Sequence, residues 1–380
     1  MKNSFIRFFI ISSFTISLSI FAQLDYGVNY EFKYFDSKDE DGGKVNVFEN
    51  YFDINIYYKN LYFYSLAKYK DPSLIGPSTK EFKDIFSIFF LEYTKDKFQL
   101  QFGDIFNSFG AGLSLYSYED RNIDYNNAPR GISLQYYMRD NMDIFAIIGS
   151  NTFSTRTFPI LTKPDINIKN DVITTGFSYQ HDYFDMHYVT MVNNQFLSSE
   201  TIENLSSLNN TLGHYLIDRY QHNSPNDYEM TVLEHNLGIN FYLGELELYF
   251  EKSWVYHNKI EDERILGYRY YFSSYINLYD YSILYEYKNY NTPYYYSVYA
   301  NPPIVFKESS STLISRNLHN IDFSNEVGHH ILINKTFSNA VNMILSSAFA
   351  YKHIYDSSIP EPGLGEILNN IITSKSIKKY

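Results

Sequence analysis

The stretch Glu245–Glu251, which reads ELELYFE, alternates charged or tyrosine side chains with leucine and phenylalanine. Successive side chains of a β-strand point to opposite faces, so this pattern places the leucines and phenylalanine on one face and the carboxylates on the other. Shorter alternations occur at Asp53–Tyr57 and Phe98–Phe102. Charged residues at regular positions inside a strand indicate a sheet with one apolar face and one wet face.

The connections between candidate strands vary in length in a regular way. Extending the alternation along the chain predicts about sixteen strands, many of them long enough to cross a bilayer when tilted. Short connections at Lys59–Asn60, Asp140–Asn141 and Tyr279–Asp280 alternate with long ones such as Asn107–Arg130 and Gln195–Glu229. This alternation is typical of an up-and-down membrane barrel, in which periplasmic turns are short and external loops are long.

The alternation breaks near the C-terminal end of the chain. A candidate strand near residues 295–306 makes the connection Asn291–Pro293 short where a long loop is due. The following connection, 307–325, is then long where a short turn is due. Either the strand count is wrong there, or a segment folds into the lumen or the periplasm.

The aromatic content supports strands rather than helices. The chain has 40 Tyr and 31 Phe with a single Trp, and its mean hydropathy is −0.33. Tyr and Phe favour strands, and Tyr suits a surface that is apolar on one side and wet on the other. The predicted fold class is all-β, an up-and-down antiparallel transmembrane β-barrel of about 16 strands. The alternative is a soluble secreted β-sandwich or propeller, although no blade-length repeat is present.

The N-terminal residues indicate export. Lys2 and Arg7 precede an uncharged apolar run that ends at Ala22, so residues 1–22 are predicted to be a signal peptide. The predicted barrel domain spans 23–356. Residues 357–380 are expected to form a C-terminal tail, either a short helix or the start of strands missing from a truncated chain. The predicted location is the outer membrane of a Gram-negative bacterium.

The charge balance restricts the partners. The net charge is −12 and no Cys is present. An acidic chain argues against nucleic acid as a partner, because phosphate backbones repel it. The expected partners are outer-membrane lipid and either a small solute or a protein. Phosphate-cradling and dinucleotide motifs are absent from the sequence, so no cofactor is predicted.

One polar cluster lies in the long connection after the fifth candidate strand. Its members are Glu119, Asp120, Arg121, Asp124 and Arg130. In the functional interpretation this loop folds into the lumen, and its ion pairs set a constriction, as charged rings do in pores. In the structural interpretation the same ion pairs only hold the loop against the barrel wall.

A second polar cluster consists of Arg316, His319, Asp322 and Glu326, in the long connection after the broken alternation. It is interpreted either as a plug or partner contact, or as a solvated loop. The histidines do not form a convincing metal site, because tetrahedral zinc needs about four ligands and no such set is present.

No catalytic motif stands out. The sequence contains neither a G-x-S-x-G motif nor a cysteine nucleophile, so no enzyme and no catalytic residue are predicted. A lumen-facing Ser–His pair would make a barrel-embedded hydrolase, the third and weakest hypothesis.

Several short motifs carry a family resemblance. Phe109–Leu115, Tyr118–Arg121 and Arg130–Gly131 are followed, much later, by Arg316, His319 and Glu326–Gly328. Together they resemble an uncharacterised family of outer-membrane barrels of Bacteroidetes type, a domain of unknown function. The resemblance covers most of the chain, implies an outer-membrane barrel and implies no activity.

Two main functions are compatible with these patterns. The first is a pore that passes or binds small solutes through a polar lumen. The second is a structural or docking barrel whose long loops bind surface or periplasmic partners.

Overall fold

The structure of the chain is a computed structural model. The structure describes residues 24–38, 44–70, 86–121, 125–155, 166–198, 227–258, 264–292, 297–303, 325–337, 342–351 and 353. The expected domain bounds 1–22, 23–356 and 357–380 extend over residues outside these ranges and stay predictions.

The described residues form seventeen strands and no helix. In chain order they are β1 (Leu24–Lys38), β2 (Lys44–Tyr58), β3 (Leu61–Lys70), β4 (Phe86–Lys95), β5 (Phe98–Asp104), β6 (Glu119–Asp120), β7 (Tyr125–Asn126), β8 (Arg130–Arg139), β9 (Met142–Thr155), β10 (Ile166–His181), β11 (Phe184–Ser198), β12 (Asp227–Leu243), β13 (Leu246–Asn258), β14 (Arg264–Leu278), β15 (Tyr281–Asn291), β16 (Asn325–Thr336) and β17 (Asn342–Tyr351).

The chain divides into two compact units. The first lies within Met1–Ile105 together with Ile132–Leu134, and the second comprises Phe106–Gly131 and Gln135–Tyr380. In the first unit β1 to β5 pair antiparallel in chain order. In the second unit β9 to β17 do the same, and β6 and β7 form a separate small hairpin. The all-β, up-and-down antiparallel fold predicted from the sequence is confirmed.

Along the chain from β1 to β16, two-residue turns alternate with longer connections. The turns lie at residues 59–60, 96–97, 140–141, 182–183, 244–245 and 279–280. At four of them the first residue has a positive φ: Lys59, Asp96, Gly244 and Tyr279. A positive φ at this position gives the hairpin a twist that matches its flanking strands.

The candidate strand near residues 295–306 is wrong. The described part of that segment, residues 297–303, is irregular, and β15 connects to β16 over residues 292–324. Pro302 and Pro303 have no N–H to donate to a sheet ladder. Without this strand, the break in the alternation disappears, and the first of the two explanations, a wrong strand count, is the correct one.

The strands of the second unit bury one face, and the apolar side chains on it include Phe145, Ile147, Val189, Met191, Val232 and Val255. The same face, here called the polar face, also buries charged and amide side chains: Asn170, Asn193, Gln195, Glu234, Asn236, Glu251, Arg269, Glu286, Lys288, Glu326 and His330. The opposite, apolar face exposes Ile144, Ile148, Ile173, Phe241, Leu243, Phe250, Ile331, Leu345 and Phe349. Charged side chains are almost never fully buried unless they are paired, so this arrangement requires a network of partners on the polar face.

The first unit has the same two faces. Its polar face buries Glu49, Asp53, Lys68 and Lys70, while its apolar face exposes Tyr26, Val28, Tyr30, Phe32, Phe89 and Leu91. Tyr64 donates a hydrogen bond of 2.6 Å to Asp53 on the polar face. In each unit, exposed aromatic and aliphatic side chains therefore lie on one face, and the buried charged side chains lie on the other.

One glycine of β5 is fixed by its surroundings. Gly103 has a φ of +104°, and a Cβ there would lie 2.2 Å from the carbonyl oxygen of Phe89. Gly244 also has a positive φ, but nothing lies within 4 Å of the position its Cβ would take.

We expect Gly103→Ala to lower the free energy of unfolding by roughly 1–3 kcal/mol, because alanine combines backbone strain with a clash. Gly244→Asn is the matched control and should cost at most about 0.5 kcal/mol, since asparagine tolerates this backbone region. Urea unfolding followed by tyrosine fluorescence measures both. Equal losses in the two variants would contradict the close approach at Gly103.

Candidate functional site

The long connection between β5 and β8 packs on the polar face of the second unit. This β5–β8 loop comprises residues 106–129, of which 122–124 lie outside the described residues. It begins with a bridge between Ser108 and Tyr116, and Phe109 accepts a hydrogen bond from the backbone N–H of Gly112. The ring of Phe109 stacks on Phe145 of β9 at a centroid distance of 4.0 Å. The loop is therefore a folded element, held against the strands by its own side chains.

Glycine permits the close approach of the loop at one point in particular. Gly112 has a φ of +83°, and a Cβ there would lie 2.8 Å from the carbonyl oxygen of Asn301. Its own carbonyl accepts a hydrogen bond of 2.9 Å from the backbone N–H of Asn301. Two irregular segments can therefore run side by side here without a side chain between them.

Glu251 of β13 is the main acceptor for the loop backbone. Its Oε2 accepts a hydrogen bond of 2.5 Å from the N–H of Ala111, and its Oε1 lies 3.4 Å from the N–H of Leu113. Asn236 donates to Oε1 at 2.8 Å, and the hydroxyl of Tyr249 donates to Oε2. One fully buried carboxylate thus binds two loop amides and two wall side chains.

Arg269 of β14 is the second anchor of the loop. Its Nη1 donates to the carbonyl of Leu113 at 2.7 Å and to Oε1 of Glu234, also at 2.7 Å. Glu234 in turn accepts a hydrogen bond of 2.6 Å from Ser253. Both members of this ion pair are fully buried. A desolvated arginine needs such a partner, because an unpaired buried charge costs several kcal/mol.

Residues 297–303 cover the other side of the loop. The N–H of Tyr116 donates to the carbonyl of Tyr299 at 2.8 Å. The side-chain amide of Asn127 donates to the carbonyl of Val298 at 2.9 Å and to that of Tyr116 at 2.8 Å. Asn151 of β9 then binds the carbonyl of Asn127 at 2.8 Å. The loop is consequently fixed by strands on one side and by this segment on the other.

Further ion pairs continue along the polar face of β15 and β16. Lys288 and Glu326 are 2.8 Å apart and both are fully buried. Nδ1 of His330 lies 2.7 Å from Oε2 of Glu286, whose Oε1 accepts a hydrogen bond of 2.7 Å from Tyr271. On this part of the polar face, each of the two carboxylates therefore has a basic side chain as its partner.

A cavity of about 200 Å³ lies between the start of the loop and the turn ends of β10 to β13. Its lining combines aromatic and polar residues: Ser108, Phe109, Gly110, Ser178, Tyr179, Gln180, Asp185, Met186, His187, Asn240 and Tyr249. Nε2 of His187 is 3.1 Å from Oδ1 of Asn236, which connects this lining to the Glu251 network.

The structure describes four of the five residues of the first predicted cluster. Glu119 and Asp120 form β6 within the loop, and Nε of Arg121 lies 3.5 Å from Oε2 of Glu119. Asp124 lies outside the described residues, and Arg130 is exposed at the start of β8. Burial, followed by the charge of Asp120, raises the pKa of the neighbouring Tyr118. The loop packs on the polar face, where its backbone contacts Glu251 and Arg269.

The second predicted cluster is mostly outside the described residues. Arg316, His319 and Asp322 lie there, whereas Glu326 is the buried partner of Lys288 in β16. In the described part of the chain, no group of three or more His, Cys, Asp or Glu side chains could hold a metal ion. No helix long and apolar enough to cross a membrane occurs among the described residues.

The residues that anchor the loop were not predicted as a site. Glu251 was recognised only as one of the wet-face residues of its strand, and Glu234 and Arg269 were not singled out. A signal was nevertheless present, since Arg269 is a lone cation in the aromatic stretch Tyr268–Phe272. Which partner each charge finds depends on strand register, and the sequence alone does not fix that register.

A family profile described as a family of unknown function (DUF6029) matches residues 4–352. The chain belongs to the DUF6029 family. The resemblance to an uncharacterised family is thereby confirmed, while the Bacteroidetes origin stays a prediction. No curated protein matched the sequence.

Among solved structures, this DUF6029 chain is similar to several outer-membrane proteins. OpdO of Pseudomonas aeruginosa has a TM-score of 0.46 at 10% identity, with 86% of this chain and 80% of that chain covered. A BenF-like porin from Pseudomonas fluorescens Pf-5 has a TM-score of 0.41 at 10% identity, covering 89% and 84%. The outer membrane protein opdK from Pseudomonas aeruginosa has a TM-score of 0.41 at 10% identity, covering 83% and 77%.

The Glu234–Arg269 pair provides a test of the anchoring network. We expect Glu234→Leu to lower the free energy of unfolding by about 3–5 kcal/mol, because it leaves a buried arginine without its carboxylate. The double variant Glu234→Leu/Arg269→Met should recover much of that loss, since no charge is then buried. Urea unfolding of the three proteins measures both effects.

The control is Lys33→Met, which breaks the partly exposed pair with Glu31 in the first unit. It should cost no more than about 1 kcal/mol. A double variant as unstable as Glu234→Leu alone would show that the cost is not that of an unpaired charge.

Proposed function

We propose that the chain is an outer-membrane β-barrel that passes small solutes through a polar lumen, and that the β5–β8 loop narrows this lumen. The observation that carries the proposal is the anchoring of the loop to the polar face by Glu251 and Arg269. A long loop folded onto the ionisable face of a membrane sheet stands where solutes would cross. The proposed function is transport and involves no catalytic step.

Burial supports the membrane part of the proposal. Ile148 of β9 is 60% exposed and Phe349 of β17 is 59% exposed, whereas Glu251 and Lys288 are 0% exposed. In water, this would leave a large apolar surface exposed and would promote association. In a bilayer, the apolar face contacts lipid and the paired charges stay inside.

Aromatic side chains on the apolar face add a second argument. The ammonium of Lys252 lies 4.5 Å from the ring centroid of Trp254 and 4.6 Å from that of Tyr270. Tyr and Trp concentrate at the two interfaces of a bilayer, where a long lysine can reach the headgroups. We infer that this part of β13 and β14 lies near an interface.

Membrane fractionation tests the location. The protein should be extracted from the outer membrane by detergent and should run as a compact band on a gel until it is boiled. Recovery in the periplasm or the medium, with no heat-dependent mobility, would contradict the membrane assignment.

Single-channel recording tests the role of the loop. In planar bilayers we expect discrete conductance steps from the wild type and larger steps from Glu251→Leu, because the variant removes the acceptor of two loop amides and releases the loop. Lys252→Met is the matched control; the neighbouring residue lies on the opposite face of the same strand, and its conductance should be unchanged.

Heat-dependent mobility of each variant separates a widened pore from an unfolded protein. A folded wild type with no conductance, together with a folded and equally silent Glu251→Leu variant, would contradict the pore and would favour a docking barrel.

A further inference from the structure

The carboxylates on the polar face differ in their partners, and the fully buried Glu251 has only neutral donors. Along β15 and β16, Glu286 and Glu326 each face a basic side chain, and Glu234 faces Arg269. Near the turn ends of β9 to β13, the carboxylates are Asp143, Asp185 and Glu247, and all of their hydrogen-bond donors are neutral.

The neutral donors can be named one by one. Asp143 accepts hydrogen bonds from Gln135 at 3.0 Å and from Ser178 at 2.6 Å. Asp185 accepts one of 2.6 Å from the hydroxyl of Tyr242.

Glu247 accepts a hydrogen bond of 2.7 Å from the amide of Asn240. Across the described ranges, no lysine or arginine forms an ion pair with Asp143, Asp185 or Glu247.

One of these carboxylates, Asp185, lines the cavity of about 200 Å³. Asp143 accepts a hydrogen bond from the lining residue Ser178, and Glu247 accepts one from the lining residue Asn240. Low-dielectric walls around charges of one sign focus the field into such a space and concentrate counter-ions there.

The remaining lining suits an organic cation rather than a bare ion. The rings of Phe109 and Tyr249 provide apolar faces, which attract both alkyl groups and ammonium groups. Nε2 of His187, the imidazole in the lining, is already bonded to Asn236.

We propose that this cavity is a binding site for small protonated amines and makes the pore selective for organic cations over anions. The selectivity rests on the proposed pore function, whereas the binding site does not. In the site, Asp185 binds the ammonium group, and Phe109 and Tyr249 contact its alkyl part. Asp143 and Glu247, bonded to Ser178 and Asn240 of the lining, add negative potential.

The test compares two ions of similar size, ethylammonium and acetate, in planar bilayers. Zero-current potentials should give a permeability ratio of at least about ten in favour of ethylammonium. The double variant Asp185→Asn/Glu247→Gln should bring the ratio close to one. Each new amide keeps an oxygen that can accept the existing hydrogen bond, so the fold is retained. Glu229→Gln removes the same charge at an exposed position at the start of β12 and should leave the ratio unchanged.

Binding in detergent distinguishes failure of the site from failure of the pore. Titration calorimetry should detect ethylammonium binding to the folded wild type and to Glu229→Gln, but not to the double variant. A silent barrel that still binds ethylammonium in this pattern would overturn the pore and support the site. A conducting barrel that prefers acetate, or whose preference survives the double variant, would overturn the site and leave the pore intact. Absence of both binding and conductance would overturn both proposals.

Discussion

The β5–β8 loop depends on one acceptor, the carboxylate of Glu251. A loop that packs on the polar face of a sheet carries peptide N–H groups that have no neighbouring strand to pair with. Each of these groups would cost free energy if it were buried without a hydrogen-bond acceptor. Glu251 accepts from Ala111 and Leu113 and is itself oriented by Asn236 and Tyr249. Charge-assisted hydrogen bonds of this type are stronger than neutral ones, so Glu251 is a strong anchor of the loop beside Arg269 and residues 297–303.

Burying Glu251 constrains the neighbouring strands. Its negative charge is met by N–H and O–H donors, and the nearby Glu234 would add a second buried negative charge if Arg269 were absent. Arg269 also donates to the carbonyl of Leu113, so the loop presents donors to Glu251 and an acceptor to Arg269 within three residues. The loop and the wall are therefore complementary in hydrogen-bonding polarity as well as in shape, which favours one docked position over sliding alternatives.

The strand pattern was largely predictable from the sequence, because alternation is a local property of consecutive residues. The false strand near residues 295–306 shows where that reasoning stops. Its tyrosines and valines have high strand propensity, but Val298 and Tyr299 use their carbonyls to bind Asn127 and Tyr116 of the loop. Propensity describes how a residue fits a pleated surface, and a tertiary contact of this kind overrides it.

The site was harder to predict for a related reason. The cluster around Glu119 and Arg121 was conspicuous because its charges are close in sequence, and such charges can pair with one another on the loop, as Arg121 and Glu119 do. The residues that hold the loop, Glu251 and Arg269, act through partners more than a hundred positions away. Only the register of the pairing between β13 and β14 brings them together.

Carboxylates beneath the loop are accommodated in two ways. Glu234 is paired with Arg269, whereas Glu251, equally buried, is held by four N–H and O–H donors and no cation. At the turn ends, Asp185 lines the cavity at the start of the loop and accepts a hydrogen bond from Tyr242. A carboxylate that keeps access to solvent costs less free energy than a fully buried one, so Asp185 tolerates a single neutral donor where Glu251 needs four.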